Sequence, residues 1–144
     1  MKMTRILEID YILLQNGFST AGSAEAYKFH CLKFSEQISD INVFSDNAGE
    51  VTILLLLKNG EIPEQLFLNE LLNYINSSDI KPLTDKVIVE APKTVDYSID
   101  LTYYIKKSDA ERENTIKQNI DNAIKEYIEW QKQAIGRDIN SSFL

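Results

Sequence analysis

The sequence predicts an α+β fold built from two small split-βαβ-like modules, with helices packed on small, mostly antiparallel sheets and the second module incomplete. Three observations predict it. Apolar residues switch repeatedly between helical and strand spacing along the 144 residues. No low-complexity tract or Pro/Gly-rich linker divides the chain. The clearest alternating strand is followed by a single long helix, and one strand with one helix cannot bury both apolar faces without more strands. The expected organisation is an N-terminal segment or connector at 1–22, a first α+β module at 23–92, and a second, truncated module at 93–144.

Residues 4–16 open with Ile6, Ile9, Leu13 and Leu14 at roughly helical spacing, which predicts a short helix. Gly17 breaks it, and the stretch to Ser23, rich in Gly, Ser and Thr, reads as a loop. A helix follows from about Ser23, whose hydroxyl suits a cap, to about Gln37. Ala26, Phe29, Leu32 and Phe34, with Lys33, give it a mostly apolar face.

Residues 41–45 form a short strand, Asp46-Asn47-Ala48-Gly49 a hairpin turn, and 50–57 the returning strand. The unbroken run Ile53 to Leu57 predicts a strand covered on both faces. Asn59-Gly60 ends it. Pro63 suits the first turn of the next helix, where Leu68, Leu71, Leu72 and Ile75 repeat as i, i+3, i+4, i+7 until Ser77-Ser78-Asp79.

Val87 to Glu90 is a further strand closed by Pro92. From Val95 to Ile105, Val95, Tyr97, Ile99, Leu101, Tyr103 and Ile105 alternate with polar residues and Tyr104, predicting a long strand with one packed face. Ser108 and Glu111 have capping-box spacing and open a helix over about 109–134. Its stripe is Ile116, Ile120, Ala123, Ile124, Tyr127 and Ile128, and Gly136 is placed to end it.

Composition narrows the function. There are 22 acidic and 15 basic residues, and neither half of the chain is basic. That argues against nucleic acid and against anionic membranes as partners. The N-terminal apolar stretch is interrupted by Glu8 and Asp10 and reads as neither a signal peptide nor a membrane span. A single cysteine, Cys31, permits no intrachain disulfide.

No phosphate loop, HExxH, GxSxG or CxxC occurs. His30 is the only histidine and neighbours Cys31, but adjacent helical residues point apart, so no zinc site forms from them. His30 reads as a structural hydrogen-bonding residue and Cys31 as a small buried apolar one. Asp96 and Asp100 share a strand face and read as its solvated side or an interface, with no third acid near enough for a metal. Asp46, Asn47 and Glu50 lack the spacing of a calcium loop. Pro82 to Asp85 is either an ordered connection or a protein contact, and Trp130 either core or a partner's anchor. We expect no catalytic, cofactor-binding or metal-binding residues, and candidate interface residues at Trp130, Tyr104, Phe143 and Leu144.

Five stretches together resemble the phage baseplate J family. Gly17-Phe18-Ser19-Thr20-Ala21-Gly22-Ser23 through Tyr27-Lys28-Phe29-His30 is similar to the family's run ahead of a strand pair, with Ser23 where proline is common and Cys31 where alanine is. Glu50-Val51 to Leu57 resembles the strand that follows. Ile80-Lys81-Pro82-Leu83-Thr84-Asp85-Lys86-Val87 to Pro92 resembles the family's "RPLTD" stretch. Tyr97 to Tyr104 fits the strand after it, and Ala134-Ile135-Gly136-Arg137-Asp138-Ile139 the end of the last helix. The resemblance runs from about Gly17 to Leu144 and looks like the central to C-terminal portion of longer members, either a fragment or a truncated prophage gene.

The resemblance implies a non-enzymatic structural component of a phage-like tail baseplate, from a prophage or contractile injection particle. It implies that other baseplate and tail proteins are its partners, self-association being also open, and that no cofactor is used. Location in the virion tail baseplate after assembly in the bacterial cytoplasm follows. The alternative from the fold class alone is a small-ligand-binding regulatory module.

Overall fold

A computed structural model describes residues 2–7, 21–77, 81 and 84–139. The elements in order are β1 (Lys2–Leu7), α1 (Ala21–Phe34), β2 (Ile38–Phe44), β3 (Glu50–Leu57), α2 (Gln65–Ser77), β4 (Lys86–Glu90), β5 (Lys93–Ser98) and α3 (Glu113–Lys132). Helices beside two small sheets make this an α+β fold, as the sequence predicts.

The larger sheet has the order β2-β3-β4, with β2 antiparallel and β4 parallel to the central strand. The hairpin between β2 and β3 turns at Gly49, whose φ of +77° is the left-handed conformation that glycine adopts without penalty. The β3-to-β4 connection passes through α2, as a parallel pair requires. β3 is buried on both faces, which explains its unbroken apolar run. Val51, Ile53 and Leu55 join Tyr27 and Cys31 of α1, Leu68, Leu71 and Ile75 of α2, and Val87 and Val89 of β4 in one core. Ile53, Leu55, Leu71 and Ile75 are fully sealed, each contributing about 1.5–3 kcal/mol. Thr52, Leu54 and Leu56 alternate onto the opposite face and are also buried.

A bulge at Ser39 sets which residues of β2 reach that second face. Ile38 opposes Leu57 and Asp40 opposes Leu56, so Ser39 is the extra residue. Its hydroxyl donates back to the Leu57 carbonyl at 2.9 Å. The bulge turns Asp40 away from the face that Ile38 shares with the core. Asp40 Oδ2 then accepts the Ile135 backbone N–H at 2.7 Å, tying the chain after α3 to the sheet. Beside this tie, Asn59 and Gly60 turn with φ of 62° and 72° after β3. Gly60 lies so close to α3 that a Cβ there would stand 2.7 Å from the Lys132 carbonyl oxygen.

The smaller sheet is a two-stranded ribbon in which β1 pairs antiparallel with β5, from Lys2 opposite Ser98 to Leu7 opposite Lys93. Here the structure corrects the sequence reading. Residues 2–7, read in part as the start of a helix, form a strand, because a partner some ninety positions away supplies the backbone bonds; residues 8–16 of that expected helix lie outside the described residues. The long strand expected over 95–105 is a ladder only to Ser98, where the pairing with β1 ends.

Other boundaries move for local reasons. α1 begins at Ala21, so Ser23 lies inside it rather than capping it, and it ends at Phe34. Its core-facing residues are Tyr27, Cys31 and Phe34, whereas Phe29 and Leu32 are 62% and 52% exposed. Phe34 packs against Phe67 and Tyr74 with ring centroids 5.7 and 5.3 Å apart, which fixes the rotation of the helix. β2 starts three residues earlier than expected, at Ile38. Lys107–Arg112 forms a 3-10 turn and α3 starts at Glu113. The expected capping box does not form, because the Ser108 hydroxyl turns to Asp109 Oδ2 instead of a helix N–H.

Candidate functional site

Among the described residues, no reactive centre forms around the lone cysteine and histidine of α1. Cys31 is sealed in the core, and burial pushes its thiol up to about 12, so the nucleophilic thiolate is scarce at neutral pH. The His30 ring meets Phe29 edge-on at 5.4 Å. Its Nδ1 is buried without a hydrogen-bond partner among the described residues, so the hydrogen-bonding role expected for it is not seen at that nitrogen. No three His, Cys, Asp or Glu side chains among the described residues converge on a metal-sized space. No helix among them is long and apolar enough to cross a membrane.

The polar stretch before β4 is an anchoring point. The Tyr27 hydroxyl donates to Asp85 Oδ2 at 3.2 Å, linking α1 to the entry of β4. Burial, and then the Asp85 carboxylate beside it, hold the phenol well above its ordinary range. Lys81 Nζ donates to the Asp85 carbonyl at 2.9 Å and Lys86 pairs with Glu50 across β3 and β4. Thr84 and Asp85 therefore read as an ordered connection; Pro82 and Leu83 lie outside the described residues.

Among the described residues, the stretch from β5 to α3 is the most exposed. Tyr97 is the only residue of β5 that is more than marginally covered. Beyond it, Leu101 and Tyr103 remain 45% and 40% exposed and Tyr104 is 93% exposed. Between this stretch and α3 lies a groove of about 450 Å³, walled by Ile99, Leu101 and Tyr103 on one side and Ile120 and Ile124 on the other. Asp100, Asp121 and Lys125 also line it. Asp100 and Asp96 are not joined by a third acid, and Asp100 lies past the end of the β5 ladder.

Trp130, 39% exposed, stacks at 5.8 Å on Tyr127 and carries the Arg137 guanidinium 4.0 Å over its ring. Arg137 also donates to the Trp130 carbonyl. Next to it, buried Gln131 uses Nε2 to bond the carbonyls of Arg137 and Asp138, folding the chain after α3 back on the helix. One flank of the tryptophan is thus structural and the other meets solvent. Phe143 and Leu144 lie outside the described residues.

Sequence reasoning missed the Phe29 and Leu32 patch on the outer side of α1. The signal was present, since apolar residues surround that helix on all sides, but single-face reasoning chose the wrong one.

The model of the "Baseplate J-like central domain" family matches residues 19–91, which hold α1 through β4. Over 131 residues the chain is 34% identical to "Baseplate protein J" of Escherichia phage P2. That alignment takes in 88% of this chain and 41% of the phage protein, so the chain spans well under half of the relative it matches.

Proposed function

The chain belongs to the baseplate J-like family, and on that premise we propose that it is a structural component of a phage-like tail baseplate that works by holding protein neighbours together. The observation that carries this reading is the reach of the similarity. It extends past the matched central domain to most of the chain, and so into the open second module. The geometry supports it. Val95, Leu101, Tyr103, Tyr104 and Trp130 form exposed apolar surface on or beside that module, the composition found at protein contacts.

We take Tyr104 and Trp130 as contact residues. Tyr104 is almost wholly exposed, and Trp130 is already held rigid by Tyr127 and Arg137, which lowers the entropy cost of binding. Phe143 and Leu144 remain candidates on sequence grounds. The partners are other baseplate or tail proteins, met in the bacterial cytoplasm before incorporation into the tail. A formal charge of -7 favours protein partners over nucleic acid or anionic lipid. The role is non-catalytic; the suppressed Cys31 thiol is consistent with that. The small-ligand alternative finds no support in the family.

The test is deletion of the gene followed by electron microscopy of induced particles and mass spectrometry of purified tails from the parent strain. We expect the peptide among tail proteins and no complete baseplates in its absence. Complete, functional tails lacking the protein would refute the assignment.

A further inference from the structure

Arg137 is held more firmly than a residue past the end of a helix needs to be. α3 ends at Lys132, and Gly136, at φ +70°, helps turn the chain back on it. The returning stretch is tied repeatedly. Asp40 of β2 accepts the Ile135 N–H at 2.7 Å, and buried Gln131 donates to the carbonyls of Arg137 and Asp138 at 2.8 and 3.3 Å. The guanidinium then lies 4.0 Å over the Trp130 ring, with an N–H donated to the Trp130 carbonyl. Buried Tyr127 packs on the indole in turn, ring centroids 5.8 Å apart.

A bond to the last carbonyls of a helix needs only a cationic donor, and lysine supplies that as well. What arginine adds is shape. Stacking occupies the face of the guanidinium, while its N–H groups lie in the plane and point outward from the edge. Beyond the bond to Trp130, that edge meets no carboxylate: no ion pair among the described residues includes Arg137. Trp130 beside it keeps 39% of its surface exposed. A planar N–H fork, fixed in advance next to exposed aromatic surface, suits one kind of occupant, a carboxylate with an apolar group beside it. Local charge limits the occupant to a single negative charge. Glu126, one helical turn before Trp130, and Glu129 and Asp138 are acidic neighbours in sequence, so a doubly charged phosphate is disfavoured. One carboxylate is matched by the one guanidinium.

We propose that Arg137 and Trp130 form a receptor for an Asp or Glu side chain, flanked by an apolar residue, on a different protein of the tail. The guanidinium takes both carboxylate oxygens, and the flanking residue covers the indole. Because the fork is fixed beforehand, few side chains are ordered on binding. This inference rests on the baseplate reading and names the chemistry of one of its contacts.

Purified tails carrying Arg137→Lys test it. The substitution keeps the positive charge and sets a primary amine near the same point. A carbodiimide couples an amine to a carboxylate in contact with it, forming an amide while the reagent takes up the water as a urea. Mass spectrometry should find position 137 joined to an Asp or Glu of another tail protein. Tails that contain the chain with position 137 unlinked, or linked only to acids of this chain or of a second copy, overturn the site. Tails that lack the chain altogether fail the baseplate reading itself, and the site falls with it. A charge exchange gives an independent readout. Arg137→Glu, its helical content checked by circular dichroism, should cut the yield of complete tails about tenfold or more. Changing the linked acid of the partner to arginine should restore that yield. An arginine that only caps α3 would gain nothing from a change on another protein. No loss, or a loss without rescue, would count decisively against the proposal.

Discussion

Replacing Gly60 by alanine tests how α3 is docked on the larger sheet. The glycine sits at φ +72°, and an added Cβ would stand 2.7 Å from both the Cβ and the carbonyl oxygen of Lys132. Backbone oxygen cannot swing aside as a side-chain tip can, so the end of α3 must move or the turn must open. The left-handed conformation costs an alanine about 1–2 kcal/mol. The forced contact adds about 1–3 kcal/mol, as overpacking generally does. The sum is a loss of roughly 2–5 kcal/mol, a large share of the stability of an ordinary domain. Gly49 supplies the control. It has a similar φ of +77°, but its added Cβ would meet only the Thr84 carbonyl at 3.5 Å, an ordinary contact. Gly49→Ala should therefore cost only the conformational part, about 1–2 kcal/mol. Urea denaturation followed by the fluorescence of Trp130, the single tryptophan, reads both variants from the end of α3 itself. Equal losses for the two alanines would refute the reasoning, because the excess at Gly60 is the signature of a close helix contact.

Three further outcomes follow from the core and its anchors. Tyr27→Phe removes the hydroxyl that bonds Asp85 and should cost about 1–3 kcal/mol in urea denaturation, because the half-buried carboxylate loses a partner. Ile53→Ala, at a fully sealed site in the central strand, should cost about 2–5 kcal/mol by the same assay. Cys31 should resist a thiol-specific reagent at neutral pH until the protein unfolds, measured by the rate of colour release with and without urea. Its folded-state thiol titrates higher than the free one, from 9.0 to about 12, so its contribution to stability is complete below pH 9 and is lost as the pH rises towards about 12. A Cys31→Ala comparison of alkaline denaturation curves should show that loss as a difference growing over this window.

What the sequence made legible was what local chemistry decides. The turn at Asp46 to Gly49 needed only residues that tolerate positive φ, and the double burial of β3 was visible in five apolar residues in a row. The repeat of Leu68, Leu71 and Ile75 placed α2 and its inner face correctly. Decisions made at a distance were not legible. Lys2 to Leu7 became a strand because β5 supplied a partner, and nothing within those six residues announces it. Ser108 and Glu111 had the spacing of a capping box, but the serine found a nearer acceptor in Asp109. The inner face of α1 was misjudged because aromatic packing with Phe67 and Tyr74, not hydrophobic count, set its rotation. As for the contact surface, Tyr104 was marked by an aromatic residue on the polar side of a strand pattern.

The bulge at Ser39 has a mechanical consequence. By reorienting Asp40 it places a hydrogen-bond acceptor under the turn after α3, and Gly60 lets the helix settle beside that pin. The helix is thereby clamped near one end, while its middle, around Ile120 and Ile124, borders the exposed groove. The distance from Lys132 back to Ile120 is about 18 Å at the helical rise. A tilt of about 10° at the clamp would swing that middle portion by roughly 3 Å over the same length. A push delivered at the groove would therefore be felt as torque on one serine-made kink in an edge strand.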